Sequence, residues 1–96
     1  MLVLITYDVN TQDAAGRRRL NKIAKMCLKY GQRVQNSVFE CLLEVQDYKL
    51  LQNELLKIAD LEKDSLRFYN LGAKYDTKIE HFGAKVAYDP QAVMLF

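Results

Sequence analysis

The chain opens on an almost unbroken apolar run that ends in one carboxylate, Met1–Asp8. A run of this length is too short for an independent helix and is typical of a buried strand. Because a charged group is costly to bury, Asp8 is expected at the carboxyl end of the strand, where the chain leaves the sheet. Ligand sites in α/β architectures collect at such strand ends. Asp8 is therefore a candidate ligand residue, or alternatively a residue that closes the turn or caps the next helix.

The segment from about Ala14 to Tyr30 has the periodicity of an amphipathic helix. Its apolar residues recur at i, i+3, i+4, i+7 and i+8; they are Leu20, Ile23, Ala24, Cys27 and Leu28. Four cations recur at i, i+4, i+7 and i+11 on the opposite face, namely Arg18, Lys22, Lys25 and Lys29. Gly31 is expected to end the helix from the C′ position.

The middle of the chain predicts a second strand region and a second helix. Residues from Arg33 to about Val45 are strand-like around a polar triplet at 35–37. The triplet predicts either a tight bend between two short strands or one strand with a bulge. A helix is predicted over Asp47–Asp60, with Asp47 as its N-cap.

Two further strands are predicted over Ser65–Leu71 and Thr77–Phe82, joined by a turn at 72–76. The resulting order predicts an α+β fold, a ferredoxin-like β-α-β-β-α-β sandwich with an extra C-terminal strand and both helices on one face of the sheet. The domain is expected to span residues 1–85. The remainder, 86–96, is expected to be a C-terminal tail that packs on a partner.

The first strand is apolar on both faces, which predicts a dimer. Alternation places Val3, Ile5 and Tyr7 on one face and Leu2, Leu4 and Thr6 on the other; these assignments follow from the strand period of two. Two helices cover only one face, and monomers rarely leave a large apolar patch exposed. We therefore expect a homodimer formed through sheet packing.

The composition is that of one small globular domain. The 96 residues are 50% hydrophobic, which argues against disorder. No apolar run approaches the roughly 20 residues that span a membrane, and because the amino terminus lacks the basic region and cleavage site of a signal peptide, none is expected. Cys27 and Cys41 fall at apolar positions without a CxxC motif, so they are expected to be reduced core residues. These features favour a cytoplasmic protein.

The charge is more informative in its distribution than in its total. A net charge of +2 does not by itself indicate a nucleic-acid-binding protein. Residues 17–29, however, carry six cations and no acidic residue. Like charges at helical spacing repel by a few tenths of a kcal/mol per pair, and an anionic partner would remove that cost. The candidate nucleic-acid-binding residues are Arg17, Arg18, Arg19, Lys22 and Lys25.

In their order and spacing these features resemble a known family. They are the Tyr7-Asp8 strand end, the arginine-rich helix, the stretch GQRVQNSVFE (31–40) and the stretch DSLRFYNL (64–71). Together they are similar to the second family of CRISPR-associated proteins (Cas-two), the small subunit of the spacer-acquisition complex. The resemblance runs from Met1 to about Lys85, with GQRVQNSVFE as its most specific part. DSLRFY and the tail look most like the subtype I-C branch.

The resemblance implies a ferredoxin-fold homodimer whose last strand reaches onto the partner's sheet. It also implies that larger integrase subunits (Cas-one) flank this dimer and insert protospacer DNA into the CRISPR array. Family members have been assigned metal-dependent nuclease activity on RNA or double-stranded DNA. Asp8 matches the family's magnesium-binding aspartate, and Arg33 and Phe39 match basic and aromatic positions of its proposed active site. Arg17 and Arg19 match its helix arginines.

The chemistry of phosphodiester hydrolysis agrees with that assignment. The reaction needs a neutralised phosphate and a nucleophilic water, and a divalent ion such as Mg²⁺ or Mn²⁺ supplies both. One Asp8 per chain is a poor magnesium site, whereas two across a twofold axis are an acceptable one. Arg33 is expected to hold a phosphate oxygen and Ser37 to do so more weakly. Phe39 is either a base-stacking residue or part of the core.

Three functions remain open from the sequence. The first is a magnesium-dependent endonuclease acting on double-stranded DNA or single-stranded RNA. The second is a non-catalytic scaffold that bridges DNA for the integrase subunit, with the cationic helix on the phosphates. The third is an mRNA-cleaving toxin on the same fold, which the match to GQRVQNSVFE disfavours.

Overall fold

A computed structural model describes residues 1–83 of the chain. The elements are β1 (Leu2–Asp8), α1 (Ala14–Cys27), β2 (Gly31–Gln35), β3 (Val38–Leu42), α2 (Val45–Ile58) and β4 (Ser65–Gly72), followed by a 3-10 helix at Asp76–Lys78. The predicted α+β class and the β-α-β-β-α-β order are confirmed. The predicted tail, 86–96, lies outside the described residues.

The four strands form one antiparallel sheet in the order β2-β3-β1-β4. The most apolar strand, β1, is central, so its backbone is paired along both edges. Ile5 lies opposite Phe39 on one side and opposite Phe68 on the other. Within residues 1–83 no helix is both long enough and apolar enough to cross a membrane, α1 and α2 having 14 residues each.

One face of the sheet and the apolar stripes of the two helices form the core. Alternation turns Val3, Ile5 and Tyr7 of β1 inward, as predicted, against a set of buried residues from the other elements. That set comprises Phe39, Cys41, Leu20, Ile23, Ala24, Cys27, Leu51 and Leu55. The two cysteines are free and buried, which confirms the expectation that they are reduced core residues. The Cys41 thiol donates to the Cys27 carbonyl oxygen at 3.5 Å.

The opposite face of the sheet is a mixture of apolar and polar side chains. Leu2 is already buried within the chain, whereas Leu4, Thr6 and the residues of β3 on this face are half-buried. Tyr69 of β4 is 42% exposed. The apolar part of this face is therefore smaller than the sequence suggested, and dimerisation through it stays a prediction.

Gly31 does not end α1, which corrects the prediction. The helix ends at Cys27 with Leu28 as C-cap, and Gly31 is the first residue of β2. A Cβ atom on Gly31 would lie 1.9 Å from the Glu40 carbonyl oxygen and 2.7 Å from Cys41 Cα. Glycine is needed here because the β2 and β3 backbones meet so closely, and the requirement comes from a strand distant in sequence.

The bend at 35–37 combines the two predicted alternatives. Two separate strands, β2 and β3, form a hairpin around Asn36 and Ser37, and the register also shifts between Arg33 and Gln35 as in a bulge. The N-cap of α2 is Glu44, so the prediction of Asp47 as N-cap was wrong; Asp47 lies in the first turn.

The predicted strand over Thr77–Phe82 does not form among the described residues. Gly72 ends β4 with φ +79°, a left-handed conformation that interrupts an extended chain. Lys78 Nζ then donates to the Leu71 carbonyl oxygen at 2.8 Å, and Tyr75 is buried. The segment therefore turns into the 3-10 helix at Asp76–Lys78, held against the end of β4, instead of extending as a strand.

A buried carboxylate, Asp64, joins three elements at one end of the sheet. Arg19 of α1 donates to it in a bidentate manner, from Nε to Oδ2 at 2.8 Å and from Nη2 to Oδ1 at 2.9 Å. The Tyr7 hydroxyl of β1 and the Asp60 backbone N–H also donate to Oδ2. The Asp64 side chain is 0% exposed, so these donors satisfy a charge that water does not reach.

The ionisation of this cluster follows from its contacts. The hydrogen bonds from Arg19 are the main cause that lowers the pKa of Asp64 to about 2. Burial, together with the hydrogen bond to Asp64, raises the pKa of Tyr7 to about 12. Asp64 is thus an anion and Tyr7 a donor throughout the neutral range.

Gly31→Ala is expected to destabilise the fold strongly. The added methyl group would overlap the β3 backbone, which has no flexible side chain to move aside, so we expect a loss of about 2 kcal/mol or more in the free energy of unfolding. Urea denaturation measures it. Gln32→Ala, one residue further along β2, is the control and should cost far less; equal losses would contradict the steric explanation.

Asp64→Asn is expected to make the free energy of unfolding less dependent on pH in the acidic range. The pKa of Asp64 is lowered in the folded state, so its contribution is present above the ordinary carboxylate pKa and is lost as the pH falls towards 2. After allowance for solvent screening, we expect the parent to lose about 1 kcal/mol more than the variant between neutral pH and pH about 3. Urea denaturation at both pH values measures this difference. The exposed Glu62→Gln in the same loop is the control; if Asp64→Asn and the parent lost stability in parallel, the assignment would be wrong.

Candidate functional site

A polar groove lies where the end of β1 meets the start of β4. Its volume is about 420 Å³, and it is lined by Thr6, Tyr7, Asp8, Ser37, Ser65 and Arg67. Asp8 is the last residue of β1 and lies opposite Ser65, the first residue of β4. The sheet topology therefore brings together residues that are almost 60 positions apart in the sequence.

The Asp8 carboxylate is exposed at this groove, as predicted for a ligand residue. Within residues 1–83 it makes no hydrogen bond and no ion pair. The alternative that Asp8 caps the next helix is wrong, because Asp13 is the N-cap of α1 and accepts from Ala15 N at 3.1 Å. The next residue inward, Tyr7, is anchored by Asp64 on the other face of the sheet.

Ser37 is the second predicted residue that the structure brings into the groove. The Tyr7 backbone N–H donates to the Ser37 carbonyl oxygen at 2.9 Å, which holds the β2–β3 turn against the end of β1. The Ser37 side chain is half-buried beside Asp8. A hydroxyl in this position can donate to a phosphate oxygen or to metal-bound water.

Arg33 and Phe39 do not line the groove. Phe39 is 0% exposed and belongs to the core, so of the two alternatives for this residue the structure supports the core. Arg33 pairs opposite Phe39, and its guanidinium carbon lies 5.5 Å from the centre of the Phe39 ring. Arg33 Nε donates to the Asn36 carbonyl oxygen at 2.7 Å. Both side chains thus lie on the helix side of the sheet, away from Asp8.

The cationic face of α1 is exposed as predicted. Its solvent-facing cations are Arg17, Arg18, Lys22 and Lys25, and exposed Lys29 follows two residues after the helix ends at Cys27; we call Arg18, Lys22, Lys25 and Lys29 the cationic ridge. Arg17 Nη1 donates to the carbonyl oxygens of Thr11 at 2.9 Å and Gln12 at 3.3 Å, so this side chain also orders the β1–α1 loop.

Arg19 is the exception among the predicted nucleic-acid-binding cations. It lies one turn before the buried Ile23, at the border of the apolar stripe, and its guanidinium is engaged in the bidentate pair with Asp64. Arg19 therefore has a structural role, because it joins α1 to the Asp64 carboxylate, which lies 45 residues away in the sequence.

Sequence reasoning missed Arg67, Ser65 and Thr6 as groove residues. Arg67 lies opposite Thr6, is exposed, and places Nη1 3.0 Å from the Tyr69 hydroxyl oxygen. A signal was present, because strand alternation puts Ser65 and Arg67 on one face. In a ferredoxin-like order the start of β4 lies beside the end of β1, where Asp8 was already the candidate.

The groove suits a hard cation that keeps most of its water. No group of three or more His, Cys, Asp or Glu residues lies together anywhere in residues 1–83. Asp8 offers one carboxylate, and Thr6, Ser37 and Ser65 offer hydroxyl oxygens. Magnesium prefers oxygen ligands and takes only one or two carboxylates, so this donor set fits it as half of a site.

Comparison with known proteins gives consistent matches along the chain. Residues 1–79 match the family of the CRISPR associated protein Cas2. A relative from Nitratidesulfovibrio vulgaris, named CRISPR-associated endoribonuclease Cas2, is 55% identical over 95 residues, which are 99% of this chain and 93% of the relative. A relative from Halalkalibacterium halodurans, named CRISPR-associated endonuclease Cas2, is 54% identical over 96 residues, the full length of both chains.

A solved structure agrees with these sequence matches. The crystal structure of Streptococcus pyogenes Cas2 at pH 6.5 is 49% identical and superposes with a TM-score of 0.80, covering 86% of this chain and 100% of that one. The family match includes every residue that lines the groove. The chain therefore belongs to the Cas2 family of CRISPR-associated proteins.

Proposed function

We propose that this chain is a magnesium-dependent endonuclease subunit of the CRISPR adaptation machinery. The observation that carries the proposal is the Asp8 carboxylate, which lies exposed and without a partner among residues 1–83, in a groove that also offers hydroxyl and guanidinium donors. One relative is named an endoribonuclease and another an endonuclease. Double-stranded DNA and single-stranded RNA are therefore both substrates to test.

Different residues in and next to the groove would bind the cation, bind the phosphate and hold the strands in position. Asp8, aided by neighbouring hydroxyls, would hold Mg²⁺ or Mn²⁺, which when bound would neutralise phosphate charge and lower the pKa of a coordinated water. Ser37 would donate to a phosphate oxygen from the turn between β2 and β3. Tyr7 and Asp64, on the other side of the sheet, would keep the ends of β1 and β4 in position.

A homodimer would complete the site. One chain supplies a single groove carboxylate, whereas two Asp8 residues across a twofold axis would supply the pair that a magnesium ion accepts. Without the ion these two carboxylates would repel each other. The open face of the sheet, with half-buried Leu4 and exposed Tyr69, offers the surface that such a dimer would bury. Activity should then depend on dimerisation.

A second candidate, the non-catalytic DNA-bridging scaffold, is favoured by the cationic ridge. Arg18, Lys22 and Lys25 span about 10 Å along α1, since each helical residue rises 1.5 Å, and Lys29 follows just beyond the end of the helix. Such a row can follow a phosphate backbone without reading its sequence. In this role the dimer would hold DNA for the larger integrase subunit, with the tail 86–96, outside the described residues, as the candidate contact. For either function, we also propose that the protein is of subtype I-C and lies in the cytoplasm.

Asp8→Asn is expected to abolish magnesium-dependent cleavage while leaving the fold intact. The amide keeps the size of the side chain and removes the charge that would bind the cation, and Asp8 makes no internal contact that the fold needs. The measurement is cleavage of labelled duplex DNA and single-stranded RNA, each with magnesium and with a chelator.

Asp47→Asn, on the first turn of α2, is the matched control and should cut like the parent. Sedimentation and a nucleic-acid-binding assay on each variant check that dimer and affinity persist. If Asp8→Asn cuts as well as the parent, or if no protein cuts either substrate, the enzyme proposal fails and the scaffold function is left.

Replacing Lys22 and Lys25 by Gln is expected to weaken DNA binding and its salt dependence. Each phosphate contact contributes about −0.9 to the slope of log affinity against log salt, so the double variant should lose about 2 from that slope. Fluorescence anisotropy across a salt series measures it. Lys49 and Lys63, both exposed elsewhere, give the control pair with the same change of charge. An unchanged slope in the first pair would exclude the cationic ridge as a DNA-binding surface.

A further inference from the structure

We propose that Arg67 is the phosphate-binding residue of the Asp8 groove, in the role that the chemistry of phosphodiester hydrolysis led us to expect for Arg33. The inference rests on the proposed function of this groove and names the group that would hold the substrate there. The ligand class is a nucleic-acid phosphodiester, bound through its oxygen atoms without regard to base sequence.

The sheet register places Arg67 next to Asp8. Thr6 pairs with Arg67 and Asp8 pairs with Ser65, so Asp8 and Arg67 are diagonal neighbours on two adjacent antiparallel strands. Diagonal neighbours lie about 7–8 Å apart between Cα atoms, within the reach of a long side chain. Leu66 and Phe68 turn to the core, whereas Ser65, Arg67 and Asp8 are exposed on the other side.

The Arg67 guanidinium is oriented and still has donors to offer. Its Nη1 donates to the Tyr69 hydroxyl oxygen at 3.0 Å, and the ion pairs found among residues 1–83 do not include it. The remaining N–H groups form the planar fork that suits two phosphate oxygens. Tyr69 therefore orients the fork without neutralising its charge.

Arg33 is less suited to this role in the same chain. Its Nε is used by the Asn36 carbonyl oxygen, and its guanidinium lies over the Phe39 ring, which faces the helices. A phosphate in the Asp8 groove would lie on the opposite side of the sheet. The cation that the fold places beside Asp8 is therefore Arg67. Arg33 instead hydrogen-bonds the β2–β3 turn and packs over Phe39 at the edge of the core.

The charge of the groove also favours an anion once a cation is bound. Among the groove-lining residues, Asp8 is the acid and Arg67 the base, so their charges balance. A divalent cation at Asp8 would leave the groove net positive. A phosphate group would then find an opposite charge on two sides, with the hydroxyls of Ser37 and Ser65 as further donors.

The test compares Arg67→Ala, Arg67→Lys and Arg33→Ala in the full-length protein. Steady-state cleavage of the labelled duplex and RNA gives kcat and KM, and anisotropy in the presence of a chelator gives affinity over a salt series. We expect Arg67→Ala to raise KM by about 10- to 100-fold, as is typical for a lost charged hydrogen bond, and to lower the salt slope by about 1. Arg67→Lys should restore the salt slope and part of the KM, whereas Arg33→Ala should stay within about twofold of the parent.

The outcomes separate this inference from the proposed function. If Asp8→Asn is inactive while Arg67→Ala matches the parent in KM and salt slope, Arg67 is not the phosphate-binding residue although the nuclease proposal stands. A loss confined to Arg33→Ala would overturn the inference in the same way. If Asp8→Asn retains the parent's activity, the nuclease proposal fails, and the salt slope of Arg67→Ala still decides whether Arg67 binds phosphate. Unfolding midpoints and sedimentation exclude a merely misfolded or monomeric variant, and Arg67→Lys, which keeps the charge, decides the question if Arg67→Ala does not fold.

Discussion

The buried ion pair between Asp64 and Arg19 is the constraint on which the functional end of this molecule depends. Asp64 immediately precedes β4, and its carboxylate also accepts from Tyr7 at the end of β1. Removing one partner of such a pair leaves a buried charge without compensation, which is far more costly than losing a surface ion pair. Through Tyr7, the pair therefore joins α1, β1 and the start of β4 at the end of the sheet where the groove between Asp8 and Ser65 opens.

Because side chains alternate along a strand, buried core residues and exposed groove residues occupy neighbouring positions on opposite faces of the sheet. Tyr7 points to the helices and joins the Asp64 cluster, while Asp8 points to the other face and is exposed. The same division holds in β4, where Leu66 and Phe68 pack on the core and Arg67 faces the groove. A rigid backbone thus places the exposed groups, since each is one residue away from a buried anchor.

The two candidate nucleic-acid surfaces lie on different layers of the fold. The cationic ridge is on the outer side of α1, beyond the core, whereas the groove opens on the sheet side that the helices leave uncovered. A straight duplex lying on one surface of a single chain would therefore leave the other free. The proposed binding along α1 and the proposed cleavage at Asp8 are for this reason separable hypotheses.

The sequence by itself determined every element whose signal is local and periodic. The central apolar strand, the amphipathic stripe of α1, the second helix and the strand starting at Ser65 all followed from residue patterns, as did the exposure of Asp8. Only the tertiary structure decided the rest, because the deciding contacts join distant segments. Gly31 is required by the close backbone of Glu40, and Arg19 is held by the carboxylate of Asp64. Arg67 lies near Asp8 only because β1 and β4 pair. The segment 77–82 shows the limit of a local pattern, since a strand-like sequence forms no strand there after the left-handed turn at Gly72.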